Sequence, residues 1–144
     1  PMVVPGSLYD DLERRDFTLN ALAKDEDGKI IDFFDGLKHL KAGQLITPLD
    51  CEVTFNDDPL RILRAIRFCI TKGFFISGHM ADVMQGYDYD QKMGVVSTER
   101  IREELFKCFK HDTLKTLMVL HEFPKLKNYI FQNNILWLKP TMEK

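Results

Sequence analysis

An α+β fold, with strands at the front and helices filling the rest, is what this sequence predicts, and three observations predict it. The turn signal Asp25-Glu26-Asp27-Gly28 leads into residues 29–34, Lys-Ile-Ile-Asp-Phe-Phe, whose β-branched and aromatic content is that of a strand. From Asp57 to Lys72 the apolar residues recur at the spacing of one helix face. Beyond Gly73 the chain is punctuated by helix starts and stops at Ser77, Gly86, Ser97, Asp112 and Pro124.

In chain order, residues 17–23 are mostly apolar and fit one or two helical turns. Residues 37–41 fit a short helix stopped by Gly43, and residues 44–49 read as extended up to and past Pro48. Asp57 or Asp58 can cap the best helix of the sequence. Pro59 then lies in its first turn, where a missing N–H does no harm, and the pattern runs to Lys72. A weaker helix spans residues 77–85, and residues 87–96 read as a polar loop. Helices follow at about 97–109, opened by Ser97, and 112–123, broken by Pro124. From Asn128 the tail is aromatic-rich without a clear period. No internal repeat or low-complexity tract is present.

The 144 residues, 44% apolar and 29% charged with both signs mixed, can bury one modest core and exclude a disordered chain. A net charge of −2 excludes a global positive field, so any nucleic-acid contact must be local. Arg61, Arg64, Arg67 and Lys72 form one such basic run with no acid among them. Cys51, Cys69 and Cys108 are odd in number and widely spaced, which fits reduced thiols in an intracellular protein better than disulfides or a zinc site. No segment fits a membrane span or an export signal. The start at Pro1, running from a short apolar segment into a charged one, reads as the interior of a longer chain.

Two constellations carry chemistry. In Arg14-Arg15-Asp16-Phe17-Thr18-Leu19-Asn20, two guanidinium forks beside a carboxylate can hold phosphates and a sugar hydroxyl; alone, the pattern better fits a solvated charged cluster capping a short helix. In Asp57-Asp58-Pro59-Leu60-Arg61, the i,i+3 spacing of Asp58 and Arg61 sets an acceptor beside a donor fork, which resembles the hydrogen-bonding edge of a base. Arg64 and Arg67 extend that side, while Leu60, Leu63, Ile66 and Ile70 face a core. A surface ion pair worth a few tenths of a kcal/mol is the plainer alternative for Asp58 and Arg61. Asp88-Tyr89-Asp90 reads as loop chemistry and Asp112 beside His111 as an N-cap. His39, His79 and His121 stand in no ligand-like pattern, and Tyr129, Phe131 and Trp137 fit packing better than base stacking.

Taken in order, residues 14–23, then Asp32-Phe33-Phe34-Asp35-Gly36, then Asp57 to Phe68, then Ser97-Thr98-Glu99-Arg100-Ile101 with Glu104, resemble motifs B to E of the class II tRNA nucleotidyltransferase and bacterial poly(A) polymerase family. The resemblance covers the first three quarters of the chain. It implies a short α/β remnant of a nucleotidyltransferase head over residues 1–48, an all-helical neck over 49–96 and the start of a helical body over 97–144. It implies addition or repair of the 3′-CCA end of tRNA from CTP and ATP. Arg14, Arg15, Asp16, Asn20, Asp58, Arg61 and Arg64 would bind the nucleotide, Asp32 and Gly36 would form a hinge, and Arg67 and Arg100 would contact RNA or phosphate. Motif D begins Asp57-Asp58 where the family has Glu-Asp. The Gly-Gly turn with Asp-x-Asp that holds Mg2+ in the family has no match here, so a complementary head segment is an expected partner, with tRNA and nucleoside triphosphates. A poly(A) polymerase, or a non-catalytic RNA-binding module completed by a partner, remains the alternative.

Overall fold

The computed structural model describes residues 5–136. Helix α1 (Pro5–Glu13) is followed by a 3-10 turn at Thr18–Asn20 and an antiparallel hairpin, β1 (Leu22–Lys24) with β2 (Ile30–Asp32), pairing Ala23 with Ile31. The turn signal acts as read: Asp25 Oδ1 accepts from the amides of Asp27 and Lys29, and Gly28 takes φ +81°. The expected helix over residues 17–23 is replaced by the 3-10 turn and β1. Pairing with β2 satisfies the backbone of this stretch instead.

Helix α2 (Gly36–Ala42) ends at Gly43 in the left-handed conformation, and β3 (Gln44–Leu45) follows. An unexpected helix, α3 (Cys51–Asp57), is capped by Asp50, whose side chain accepts from the Glu52 amide. It stops because Asp58 precedes a proline and is extended, φ −152° and ψ 99°. Helix α4 (Leu60–Lys72) then starts afresh and ends at Gly73, φ +70°. Strand β4 (Phe75–Ile76) returns to pair in parallel with β3.

The remaining helices are α5 (Gly78–Gly86), α6 (Tyr89–Lys92), α7 (Thr98–His111), α8 (Thr113–His121) and α9 (Pro124–Gln132). Ser77, Ser97 and Asp112 cap α5, α7 and α8 through their side chains, as their positions suggested. Asp88 of the anticipated loop caps α6, and Pro124, read as a breaker, opens α9 from its first turn. Tyr129 lies 6.5 Å from Tyr89, ring to ring, whereas Phe131 is exposed; Trp137 lies outside the described residues.

The buried face of α4 is wider than its four-residue stripe, since Ile62 and Ala65 are covered as well as Leu60, Leu63, Ile66 and Ile70. Two neighbours cause this: α7 lies along α4, and the segment carrying Phe17 covers the other flank, with Phe17 edge-on to Phe68 at 5.8 Å. One continuous core runs from Phe17 through Phe55, Met84 and Leu105 to Ile135. None of the helices described is long and apolar enough to cross a membrane.

All three cysteines are free thiols. Burial pushes the Cys69 thiol up from 9.0 to about 11 and that of Cys108 to about 12, and it raises Cys51 as well. Raised values favour the neutral form in the fold. This contribution to stability is therefore fully present below pH 9.0 and is lost as pH rises through about 11 to about 12. At pH 8 the folded chain is expected to alkylate Cys69 roughly a hundredfold more slowly than a free thiol, from its smaller thiolate fraction. Mass-resolved iodoacetamide kinetics with and without urea checks this; equal rates would overturn the burial assignment.

Candidate functional site: an arginine-lined cleft

Three segments far apart in sequence meet at one open cleft of ≈830 Å³: the end of α1 with Arg14-Arg15-Asp16, the α3–α4 junction, and Arg100 in the first turn of α7. It gathers Arg14, Arg15, Arg61, Arg64 and Arg100 against Asp11, Asp16, Asp57 and Asp58. The nucleotide-site residues expected from the sequence all line it, and so does Arg100.

Asp16 is the buried anchor of this arrangement. Its Oδ1 accepts from the Phe17 amide at 2.7 Å and the Asn20 side chain at 3.1 Å, while its Oδ2 accepts from Arg64 Nε at 2.7 Å and Nη2 at 2.6 Å. The carboxylate thereby ties the turn after α1 to the second turn of α4, 48 residues away. Arg64 also lies over Phe68, 5.5 Å from the ring centre.

Asp58 stands just before α4, not within its first turn, and its Oδ1 accepts from the Leu60 amide. Its Oδ2 takes Arg100 Nη2 at 3.2 Å, so α7 holds the carboxylate in place. Arg61 Nη1 donates to the Thr54 carbonyl at 3.1 Å and to Asp57 at 3.4 Å, and Nη2 donates to the Arg14 carbonyl at 2.8 Å. Among the described residues this leaves Arg61 its Nε–H and one Nη2–H, and leaves each Asp58 oxygen one lone pair. Arg14 is the most exposed of the cleft's paired cations, 4.0 Å from Asp57, and Arg15 is tied to Asp11 at 3.2 Å.

Arg67 departs from its expected place. Its Nε donates to Glu104 Oε1 on α7 at 2.5 Å, its guanidinium lies 4.8 Å from the centre of the Phe68 ring, and its side chain is only 17% exposed. The i,i+3 spacing did set Arg64 and Arg67 on one side of α4, but α7 packs along that side one turn on, so Arg67 joins two helices through Glu104. Asp32 and Gly36 also have a defined local task. Asp32 accepts from the Gly36 amide at 2.7 Å and the Leu37 amide at 3.0 Å, which caps α2. Gly36 sits so close to the Thr18 backbone that a Cβ there would stand 2.1 Å from the Thr18 carbonyl oxygen.

Sequence reasoning missed Asp11, the separate helix that sets Asp57, and a grouping on the far side of α3. There Asp50, Cys51 and His79 bring their ligand atoms within 4.8 Å of one another. The i,i+4 spacing of Asp11 and Arg15 was the one available signal. His79 is 28 positions from Cys51, and no spacing rule joins them.

Comparison with known proteins finds one family throughout. The Poly A polymerase head domain family matches residues 3–46. A CCA-adding enzyme of Leuconostoc citreum is 44% identical over 101 residues, covering 70% of this chain and 25% of that protein. A Thermotoga maritima CCA-adding enzyme solved with tRNA superposes with a TM-score of 0.78 at 30% identity, over 96% of this chain and 34% of the other. A Bacillus stearothermophilus CCA-adding enzyme solved with CTP gives 0.65 at 36% identity, over 74% and 26%. The chain thus spans about a quarter to a third of the length of the proteins it matches.

Proposed function

From the premise that this chain belongs to the family of CCA-adding enzymes and poly(A) polymerases, we propose that it supplies nucleotide selection for the addition of CTP and ATP to the 3′ end of tRNA. The observation that carries this reading is that Asp58 and Arg61 both line the arginine-lined cleft, each with unspent hydrogen-bonding capacity. Cytosine and adenine both present an exocyclic amino donor beside a ring-nitrogen acceptor. A carboxylate acceptor beside a guanidinium donor complements that edge, whereas guanine and uracil present a carbonyl and a ring N–H in the corresponding places. Arg14 and Arg15, on the rim, suit the triphosphate, and Asp16 with Asn20 suits the ribose while holding Arg64 in position. Residues 1–48 correspond in this reading to the end of a head, 49–96 to a neck and 97–144 to the start of a body, with Asp32 and Gly36 at the joint.

Magnesium does not fit the cleft's own carboxylates. Asp16 is taken by Arg64, Asp57 by Arg61, Asp58 by Arg100 and Asp11 by Arg15, so no two of them converge on an ion. The paired carboxylates of two-metal phosphoryl transfer would come from residues outside this chain, contributed by a head segment with a Gly-Gly turn and an Asp-x-Asp pair.

The purified 144 residues, given tRNA, CTP, ATP and magnesium, are expected to extend nothing. Fused behind a relative's head segment, they are expected to restore addition. In that fusion Arg61→Ala should cost roughly 1.5–3 kcal/mol per lost base-directed hydrogen bond, or about ten- to a hundredfold in kcat/KM for CTP and ATP. The poor substrates GTP and UTP should lose much less. Steady-state kinetics with the four nucleotides decides it, and an equal fall for all four would sink the selection role.

A further inference from the structure

We propose that Asp50, Cys51 and His79 form a binding site for a thiophilic divalent cation of the zinc class, separate from the nucleotide cleft. Fold topology creates it. The parallel pairing of Gln44 with Phe75 and Leu45 with Ile76 runs two strands side by side, so the residues that open α3 after β3 emerge next to those that open α5 after β4. Asp50 is the N-cap of α3, Cys51 its first residue, and His79 the second residue of α5.

The donor set is mixed and partly preset. Asp50 Oδ1 is fixed on the Glu52 amide at 2.9 Å, which turns Oδ2 to 3.6 Å from His79 Nε2. Bond lengths of about 2.0–2.3 Å in a tetrahedral zinc site set ligand atoms roughly 3.3–3.8 Å apart. The Asp50–His79 separation already matches, and all three ligand atoms lie within 4.8 Å of one another. His79 is two-thirds exposed, so its ring has room to adjust toward an ion. Thiolate plus imidazole selects against magnesium and calcium and for zinc-like ions. A cavity of ≈230 Å³ is lined by all three residues together with Ser77 and Met80, which leaves room for water as the fourth ligand. None of these residues lines the arginine cleft.

Burial and the neighbouring Asp50 and Glu52 hold the Cys51 thiol protonated in the absence of an ion. Coordination therefore forms a metal–sulfur bond as the thiol proton leaves to solvent, with no change of oxidation state. The bound ion would join the segments before α3 and after β4. Because α3 runs from this site to Asp57 in the cleft, it would also fix the far end of the helix that carries that residue.

The experiment is titration of the reduced, metal-free chain with Co2+, followed by displacement with Zn2+. One saturable equivalent is expected, with a near-ultraviolet thiolate-to-cobalt charge-transfer band that zinc abolishes and a melting temperature that rises with free zinc. Cys51→Ser should remove the band. His79→Ala, at an exposed position that keeps the fold, should weaken binding by about tenfold or more, and His111→Ala should leave it unchanged. Absence of a saturable band in the wild-type chain, or a band of equal affinity in His79→Ala, overturns the assignment. Nucleotide selection by the Arg61 cleft is a separate readout and does not depend on the result.

Discussion

Gly36→Ala is expected to lower the unfolding free energy by about 3 kcal/mol, the upper end of the usual cost of overpacking. The reason is space alone, since Gly36 is not among the residues of positive φ. Its Cβ would meet the Thr18 carbonyl oxygen at 2.1 Å and the Thr18 carbonyl carbon at 2.9 Å. Those are backbone atoms, and the Thr18 amide is itself bonded to the Ile46 carbonyl at 2.7 Å, so the contact cannot be relieved by a side-chain rotation. The first turn of α2 would have to lift away from the 3-10 turn, breaking the Asp32 cap and the contact between Thr18 Oγ1 and His39 Nδ1. Asp16 lies two residues upstream of Thr18, so nucleotide binding should fall along with stability. Gly78→Ala is the matched control: a Cβ there meets nothing within 4 Å, and the change should be neutral or stabilising by about 0.4–1 kcal/mol. Urea unfolding followed by circular dichroism separates the two, and similar midpoints would show that the Gly36 contact relaxes freely.

Glu104→Ala is expected to be at least as damaging, at about 3–5 kcal/mol, because it leaves the Arg67 guanidinium unpaired between α4 and α7. Both side chains are largely covered, 17% and 9% exposed, so solvent screening offers little relief. Lys107 reaches the other Glu104 oxygen at 3.7 Å from an exposed position and cannot replace the lost carboxylate. Replacing both partners by apolar residues, Arg67→Leu with Glu104→Met, should recover most of the loss, since an apolar pair of similar volume removes the desolvation cost of both charges. A double-mutant cycle on unfolding free energy measures the coupling. A loss below about 1 kcal/mol in the single variant would mean that the pair behaves as a screened surface bridge.

These two positions show where sequence reading reaches and where it stops. Local chemistry determined the helix starts at Ser97 and Asp112, the stops at Gly43 and Gly73 and the hairpin turn at Asp25 to Gly28, because each is a contact within a few residues that spacing alone reveals. The motif order grouped Arg14 to Asn20 with Asp58 to Arg64, and residues from both stretches line one cleft. Only the tertiary structure decided which arginines stay open to the cleft. Arg64 and Arg67 are alike in sequence, three residues apart on one side of α4. Asp16 reaches one across 48 positions and Glu104 takes the other across 37. Tertiary structure also decided that Cys51 and His79 are neighbours, through a strand pair only two residues long on each side. Such contacts depend on long-range packing of the folded chain, and a linear pattern carries no record of it.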